Sequence, residues 1–291
     1  MKKFLILLFL SVNMFANINI AVSYPYIAAL TKSIGGDDVN TVVLAKGNWD
    51  PHFIVPRPSL ISKVRNADGL IINGGQLEIG WLPPLIKRAG NPKTNTDAKS
   101  FLNLSHHVEL INKPNSVDRS GGDIHPDGNP HFHLDPQNIL ILATTIKEFL
   151  SSIDPENKNN YEKNHNEFSA VWREKIASYK DKMADKKGLE VVQYHNNLAY
   201  FIKAYGLKNI ATIEPLPGIP PSSKHTINVI KTIKKEKPFG IFHDVYHSTK
   251  TADFISRKTG VKVILMPHDI NSMDDIEDLA SLFDYLVGAV Q

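Results

Sequence analysis

Two stretches of alternating strand and helix patterns lie on either side of a long helical stretch, and this arrangement limits the fold more than any other feature. The first stretch has predicted strands and helices in alternation at 17–23, 24–34, 39–44, 59–66 and 69–72. Gly35 and Gly36 are a helix-terminating signal after the first helix. Strands that alternate with helices form parallel sheets covered by those helices. We therefore expect an N-terminal α/β lobe over residues 17–135.

The second half of the chain repeats this pattern over residues 188–291. Its predicted strands lie at 189–193, 209–213, 239–242 and 261–265, and its last predicted helix runs over 274–290. Residues 136–187 between the two halves have apolar residues at helical spacing and no strand pattern, with a break near 151–154. The predicted fold class is therefore α/β, with two βα lobes that have parallel sheets and are joined by a long, rigid backbone helix.

Residues 1–16 have the pattern of an export signal. Lys2 and Lys3 precede the short apolar run 4–10, and the segment ends at the small residue Ala16. This apolar run is too short to span a bilayer, so we expect a cleavable signal peptide and a periplasmic protein. The sequence contains no cysteine, which excludes disulfides and thiolate metal ligands. Lipid attachment at a cysteine is not expected either.

The charge of the chain indicates no polyanionic partner. The formal net charge is +3, and it falls to +1 when the two signal lysines are left out. A chain this close to neutral, without a basic stripe, lacks the electrostatic footprint of a nucleic-acid-binding protein. We therefore expect no nucleic-acid partner.

Two Pro-His peptides indicate a metal site. One is Asp50-Pro51-His52, in the loop after the second predicted strand, and the other is Pro130-His131. Neutral imidazole is the commonest metal ligand among side chains, and a neighbouring proline stiffens the backbone that carries it. Because the two histidines belong to different loops, the site would be assembled by the fold. We expect both His52 and His131 to bind the metal.

The third and fourth donors are expected at the carboxyl ends of strands in the second lobe, where α/β proteins usually bind ligands. His195 follows the predicted strand at 189–193, and Asp269 follows the one at 261–265. The sequence does not decide which residue is the fourth donor. The alternatives to Asp269 are Asp244, His268 and Glu214.

His133 lies two residues after His131, and the two would point to opposite sides of an extended segment. We therefore expect His131 to bind the metal, and His133 either to lie beside the ligands or to bind the metal weakly from the loop. The long loop at 105–130, which includes His106, His107 and His125, is rich in glycine, proline and asparagine. Long loops are either functional or disordered, so this one is either a weak collector of metal ions or simply solvated.

Taken together, these motifs resemble those of the periplasmic zinc- and manganese-binding receptors of bacterial metal ABC importers. The resemblance covers essentially the whole mature chain. It rests on the segments 47–56 and 129–136, on His195 before an aromatic helix, and on the segment 214–222, which is typical of one zinc-type branch.

This resemblance implies that the metal lies between the two lobes. It places His52, His131 and His195 at the three histidine ligand positions and Asp269 at the carboxylate position. It also implies that a monomer captures the ion and delivers it to a membrane ABC permease, with a periplasmic metallochaperone as a further candidate partner.

Three imidazoles and one carboxylate suit Zn²⁺, whereas Mn²⁺ prefers more oxygen donors, so zinc is expected ahead of manganese. One alternative function is an exported zinc hydrolase, because three protein ligands and one water form a catalytic zinc site. The chain has neither a His-Glu-x-x-His helix nor a Gly-x-Ser-x-Gly turn, so we expect a binding protein and not an enzyme. A zinc-sequestering or adhesive surface protein without a permease is the other alternative.

Overall fold

The computed structural model describes residues 17–114, 125–216 and 218–291. The expected signal peptide lies outside the described residues. The described chain contains two four-stranded parallel sheets, one in each half, and each is covered by helices. The predicted fold class is therefore confirmed.

The first sheet has the strand order β2-β1-β3-β4. Its strands are β1 (Ile18–Val22), β2 (Val39–Val43), β3 (Gly69–Ile72) and β4 (Phe101–Asn103). Its helices are α1 (Pro25–Gly35), α2 (Pro58–Arg65) and α3 (Leu82–Ala89). Each helix has a proline in its first turn, where the missing N–H has no partner to lose. The three predicted strands are confirmed, whereas β4 and α3 are too short to give a clear periodic pattern and were not predicted.

The second sheet has the equivalent order β6-β5-β7-β8. Its strands are β5 (Glu190–Gln193), β6 (Lys208–Thr212), β7 (Ile241–His243) and β8 (Val263–Leu265). Its helices are α6 (Ala199–Tyr205), α7 (Ser223–Glu236), α8 (Lys250–Thr259) and α9 (Leu279–Gly288). The last helix begins later than the predicted residue 274, because Asp278 and Ser281 form a capping box that fixes its start.

Two helices occupy the segment between the sheets: α4 (Pro136–Ile153) and α5 (Lys158–Lys182). The predicted break between them is a short turn at Pro155–Asn157. Near the start of α5, the Asn164 side chain donates to the Ile34 carbonyl oxygen at the end of α1 over 3.0 Å. Near its end, Lys175 pairs with Asp284 of α9 at 3.0 Å. One continuous helix, α5, therefore contacts both lobes. The predicted boundaries of the lobes, at residues 17–135 and 188–291, stay predictions.

Aromatic packing holds α5 against the second lobe. The ring of Trp172 lies 5.5 Å from that of Phe283 on α9, and its indole N–H donates to the Pro136 carbonyl oxygen over 2.8 Å. Both rings belong to a buried apolar cluster that continues through α4 and α1 into the first sheet. This continuous core ties the lobes together through side-chain packing as well as through the chain. Within the described ranges, no helix is both long enough and apolar enough to cross a membrane.

Candidate metal centre

Three histidines that are far apart in the sequence converge between the two sheets. His52 lies in the loop after β2, His131 lies just before α4, and His195 follows β5. One ring nitrogen from each lies within 4.8 Å of the other two. Of all histidine and carboxylate side chains in the described residues, only these three form such a group. The first lobe thus contributes two donors and the second lobe one.

His131 shows most clearly that the cluster is built for a ligand. Its side chain is buried, and neither ring nitrogen has a hydrogen-bond partner among the described residues. Burial, together with the charges of His52 and His195, lowers the pKa of His131 well below its ordinary value. The ring is therefore neutral and offers a lone pair. A buried polar atom without a partner is costly, and a bound metal ion would remove that cost.

His52 is oriented by the aspartate of its own Asp-Pro-His motif. One carboxylate oxygen of Asp50 accepts hydrogen bonds from the backbone N–H of His52 and from its Nδ1, both over 2.9 Å. Burial opposes ionisation of Asp50, but the hydrogen bonds and the charge of His52 outweigh it and lower the Asp50 pKa. An ionised carboxylate can only accept, so Nδ1 carries the proton and Nε2 is left for a metal.

His195 is oriented in the same way by Glu214. The Nδ1 of His195 lies 2.5 Å from Oε2 of Glu214, and both side chains are buried. From sequence, Glu214 is one alternative for the fourth donor. In the structure, its carboxylate instead contacts Nδ1 of His195.

A fourth imidazole approaches the cluster from the long loop. The Nε2 atoms of His125 and His52 lie 3.2 Å apart. Burial, followed by the charges of His52 and His195, lowers the pKa of His125 to about 3. From sequence, His125 is only one of several histidines in this loop. The two others named above, His106 and His107, are exposed.

The structure does not bring Asp269 into the three-histidine group. Its Oδ1 accepts from the backbone N–H of Tyr26 over 2.8 Å and from that of Ile270 over 2.7 Å. Tyr26 lies in the first turn of α1, so this carboxylate joins the second lobe to a helix N-terminus in the first. Burial raises the Asp269 pKa well above its ordinary value despite these two hydrogen bonds. Asp269 and His131 line the same small cavity of about 10 Å³.

Asp244 and His268 also have other contacts. Asp244 accepts from Nδ1 of His247 over 2.9 Å. The backbone carbonyl of His268 accepts from Nε2 of His133 over 2.8 Å, and the His133 ring stacks on Tyr26 with centroids 4.2 Å apart.

The direction of His133 follows from the local backbone. Residues Phe132–Leu134 form a single 3₁₀ turn, so the segment after His131 is not extended. This turn leaves His131 in the cluster and carries His133 into the contact between the lobes. His133 therefore lies beside the histidine group and not within it.

The cluster is reached from a large cleft. A cavity of about 740 Å³ borders His131 and His195 and is also lined by His125, Glu214 and Leu216. Polar side chains, including Lys203 and Asn196, line the same cavity. An ion can therefore reach His131 and His195 from this cleft.

Known proteins resemble this chain over most of its length. The family model described as ZnuA, the periplasmic zinc-uptake complex component A, matches residues 20–286. The zinc-binding lipoprotein AdcA of Streptococcus pneumoniae (strain ATCC BAA-255 / R6) is 24% identical over 89% of this chain and 51% of its own length. The iron ABC transporter substrate-binding lipoprotein MtsA of Streptococcus pyogenes serotype M1 is 28% identical over 81% of this chain and 75% of its own. The chain thus spans about half the length of the AdcA relatives that it matches.

Solved structures share the fold. A crystal structure of ZnuA superposes with a TM-score of 0.80 at 24% identity, covering 94% of this chain and 98% of that one. A zinc-bound ZnuA that lacks residues 138–173 of its own sequence has a TM-score of 0.78 at 25% identity, covering 94% and 96%. A manganese-bound periplasmic metal-binding protein from Candidatus Liberibacter asiaticus has a TM-score of 0.77 at 20% identity, covering 94% and 98%.

Proposed function

Because this chain belongs to the ZnuA family of periplasmic zinc-uptake components, we propose that it captures a divalent metal ion in the periplasm and delivers it to a membrane ABC permease. The observation that carries this proposal is the buried His131 ring, which has two unpartnered nitrogens beside His52 and His195. Apolar packing alone would not favour such an arrangement, whereas a metal ion would. The names of the AdcA relatives and the zinc-bound ZnuA structure support zinc as the ion.

We infer that Zn²⁺ is the preferred ion and that Mn²⁺ is second. A donor set dominated by imidazole suits zinc in tetrahedral geometry. Manganese favours carboxylate, carbonyl and water oxygens, whereas the carboxylates nearest the group, those of Asp50 and Glu214, contact ring nitrogens of His52 and His195. The names of an iron-transport relative and of a manganese-bound neighbour make a comparison of metals part of the test.

We propose His52, His131 and His195 as three ligands and treat the fourth as a choice between two residues. His125 is already close to His52, which supports it as the donor in this conformation. Asp269, expected from sequence, would have to release the N-terminus of α1 to direct its Oδ1 to the ion. Neither residue belongs to the three-histidine group, and the contact with His52 makes His125 the first choice.

We propose that the protein is not an enzyme. A catalytic zinc keeps a coordination position open for water, whereas a fourth protein ligand closes it. His125 or Asp269 would provide that ligand. Hydrolysis of generic ester or peptide substrates that is lost on chelation would instead support the hydrolase alternative.

Zinc titration of the metal-stripped protein, residues 17–291, tests the binding proposal. We expect one tight equivalent in the wild type. His131→Ala should weaken binding by at least about 100-fold, because loss of a mere hydrogen-bond partner of a ligand already costs about 10–100-fold. His165→Ala is the matched control, because His165 contacts Thr144 and Ser169 near the middle of α5. If the wild type took up no tight equivalent, the metal proposal would fail. Equal affinity of the two variants would refute the role of His131 as a ligand.

Delivery needs a separate experiment. We propose that the protein is a monomer, that it is exported by a cleaved signal peptide, and that it has no lipid anchor. It would deliver zinc to the permease, with or without a metallochaperone. Uptake of zinc by proteoliposomes that contain the permease should depend on the zinc-loaded protein. Tight binding without any stimulation of uptake would favour the sequestering or adhesive alternative.

A further inference from the structure

Parallel strand register brings Glu214 to His195. Gln193 of β5 pairs with Thr212 of β6 in the second sheet. His195 and Glu214 each lie two residues beyond this pair, so both emerge at the same carboxyl edge of the sheet. Each side chain is only 5% exposed. A carboxylate buried to this degree needs partners for both of its oxygens.

Each oxygen of Glu214 has a different partner. Oε2 lies 2.5 Å from Nδ1 of His195, and Oε1 accepts from the backbone N–H of Gly218 over 3.0 Å. Because the carboxylate accepts both hydrogen bonds, the proton of the neutral His195 ring lies on Nδ1. The lone pair is then on Nε2, as metal binding from the other side of the ring requires.

The second partner belongs to a tight turn, here called the Gly218 turn and defined by Leu216, Gly218 and Ile219. The backbone N–H of Ile219 donates to the Leu216 carbonyl oxygen over 3.0 Å. Gly218 has a φ of 76°, in the left-handed region that only glycine adopts without cost. Leu216 lines the large cleft together with His131 and His195, and it is 39% exposed. The turn therefore lies where the metal cleft opens to the surface.

We propose that Glu214 is a positioning residue that holds His195 in its metal-binding tautomer and couples metal binding to the Gly218 turn. This inference rests on the proposed function, because it concerns the same site. The Glu214 carboxylate contacts both His195 and the Gly218 turn. An ion that fixes the His195 ring therefore also fixes Glu214, which accepts the hydrogen bond of the Gly218 N–H. Coupling between binding equilibria is reciprocal, so ordering of the turn strengthens metal binding as well.

The tautomer of His195 is the first readout, measured in the metal-free protein by long-range ¹H–¹⁵N correlation of the imidazole nitrogens near pH 7.5. The wild type should show a protonated Nδ1 and an unprotonated Nε2. Glu214→Ala should lose this preference, because no acceptor then remains at Nδ1. A His195 ring that keeps its Nδ1 proton in Glu214→Ala would overturn the positioning role. This measurement needs no metal, so it stands even if the zinc titration of the wild type fails.

Zinc affinity and exchange of the Gly218 amide are the second and third readouts. Glu214→Ala should bind zinc about 10–100-fold more weakly, the usual effect of removing the hydrogen-bond partner of a ligand. Zinc should slow exchange of the Gly218 amide proton in the wild type and not in Glu214→Ala. If zinc left this exchange unchanged in the wild type, the coupling would be refuted.

Glu214→Gln separates the two contacts. Its amide oxygen can still accept from His195, whereas its NH₂ group cannot accept from Gly218. We expect this variant to keep the His195 tautomer and most of the zinc affinity but to lose protection of the Gly218 amide. Glu214→Gln could instead bind zinc as weakly as Glu214→Ala and lose the His195 tautomer too. The negative charge of Glu214, and not its hydrogen bond, would then account for the zinc affinity, and the proposal would be wrong.

Ser222→Ala is the matched control for general loosening of this segment. The Ser222 hydroxyl accepts from the His225 backbone N–H and caps α7, only a few residues after the Gly218 turn. The substitution weakens that cap without touching Glu214 or His195. Zinc affinity should stay within about twofold of the wild type. An equal loss in Ser222→Ala and Glu214→Ala would show that the effect is structural and would overturn the proposal.

Discussion

The Nε2 atoms of His52 and His125 lie 3.2 Å apart, although one residue follows β2 and the other belongs to the long loop before α4. Two nitrogens bound to one tetrahedral zinc ion lie about 3.3–3.4 Å apart, given Zn–N bonds of about 2.0–2.1 Å. The loop histidine therefore already has, relative to His52, the separation that a shared ion requires, although its ring nitrogens lie outside the group formed by His52, His131 and His195.

His125→Ala should weaken zinc binding at least about 100-fold if His125 is the fourth ligand, as for His131→Ala, whereas Asp269→Asn should change it by less than about threefold. The asparagine keeps an oxygen that can accept from Tyr26 and Ile270, so the contact between the lobes survives. Competition with a chelator of known affinity measures both variants. His107→Ala, a change at an exposed histidine of the same long loop, is the control. The reverse ranking of the two variants would assign the fourth position to Asp269.

Asp50→Ala should weaken zinc binding by about 10-fold or more, because the His52 ring would lose the acceptor that holds a proton on Nδ1. Calorimetry at pH 7.5 would measure this loss. Asp37→Ala is a suitable comparison, because Asp37 is exposed and pairs with Lys32 at the surface. Equal affinity in the two variants would mean that the Asp50 contact does not orient the ligand.

Glu78 should give the stability of the metal-free protein an unusual pH dependence. Its carboxylate is buried and accepts from the backbone N–H groups of Asn73 and Gly74 over 2.7 and 3.0 Å. Burial outweighs these hydrogen bonds and raises the Glu78 pKa to about 7. In the unfolded chain, a glutamate titrates near its ordinary pKa of about 4.3.

Since the folded-state pKa is the higher one, the contribution of Glu78 to stability is full below about pH 4.3 and is lost as pH rises to about 7. The loss is at most about 3–4 kcal/mol, and it levels off above pH 7. Urea unfolding of wild type and Glu78→Gln at several pH values isolates this contribution, because the other titrating groups are common to both. Stability curves that run parallel between pH 4.5 and 7 would contradict the raised pKa.

His133→Ala should reduce the stability of the metal-free protein by about 1–3 kcal/mol and leave zinc affinity within a few-fold. The substitution leaves the buried His268 carbonyl oxygen without its donor and removes the ring that stacks on Tyr26. His133→Phe keeps a ring for stacking and should recover part of the stability. Chemical denaturation and zinc competition report the two properties separately. A large loss of zinc affinity with unchanged stability would instead identify His133 as a ligand.

Much of the fold could be predicted from local patterns. The strands at β1, β2 and β3 and all four strands of the second sheet coincide with short apolar runs, and glycines or a polar break end several of the helices. The short elements α3 and β4 could not be predicted, because eight and three residues carry too little periodicity. The start of α9 depended on one capping box and not on the apolar pattern.

The sequence by itself determined the chemistry of this protein: an α/β chain without cysteine, in which prolines stiffen two histidine-bearing loops and a third histidine follows a strand. Only the tertiary structure decided how the other polar residues are used. It brought His125 to His52, placed Glu214 against His195, and directed Asp269 to the N-terminus of α1. These contacts join residues that are distant in the chain, or they depend on strand register. A buried carboxylate can either orient a ligand or bind the ion. Which of the two it does depends on the donors that the fold brings within about 3 Å of its oxygens.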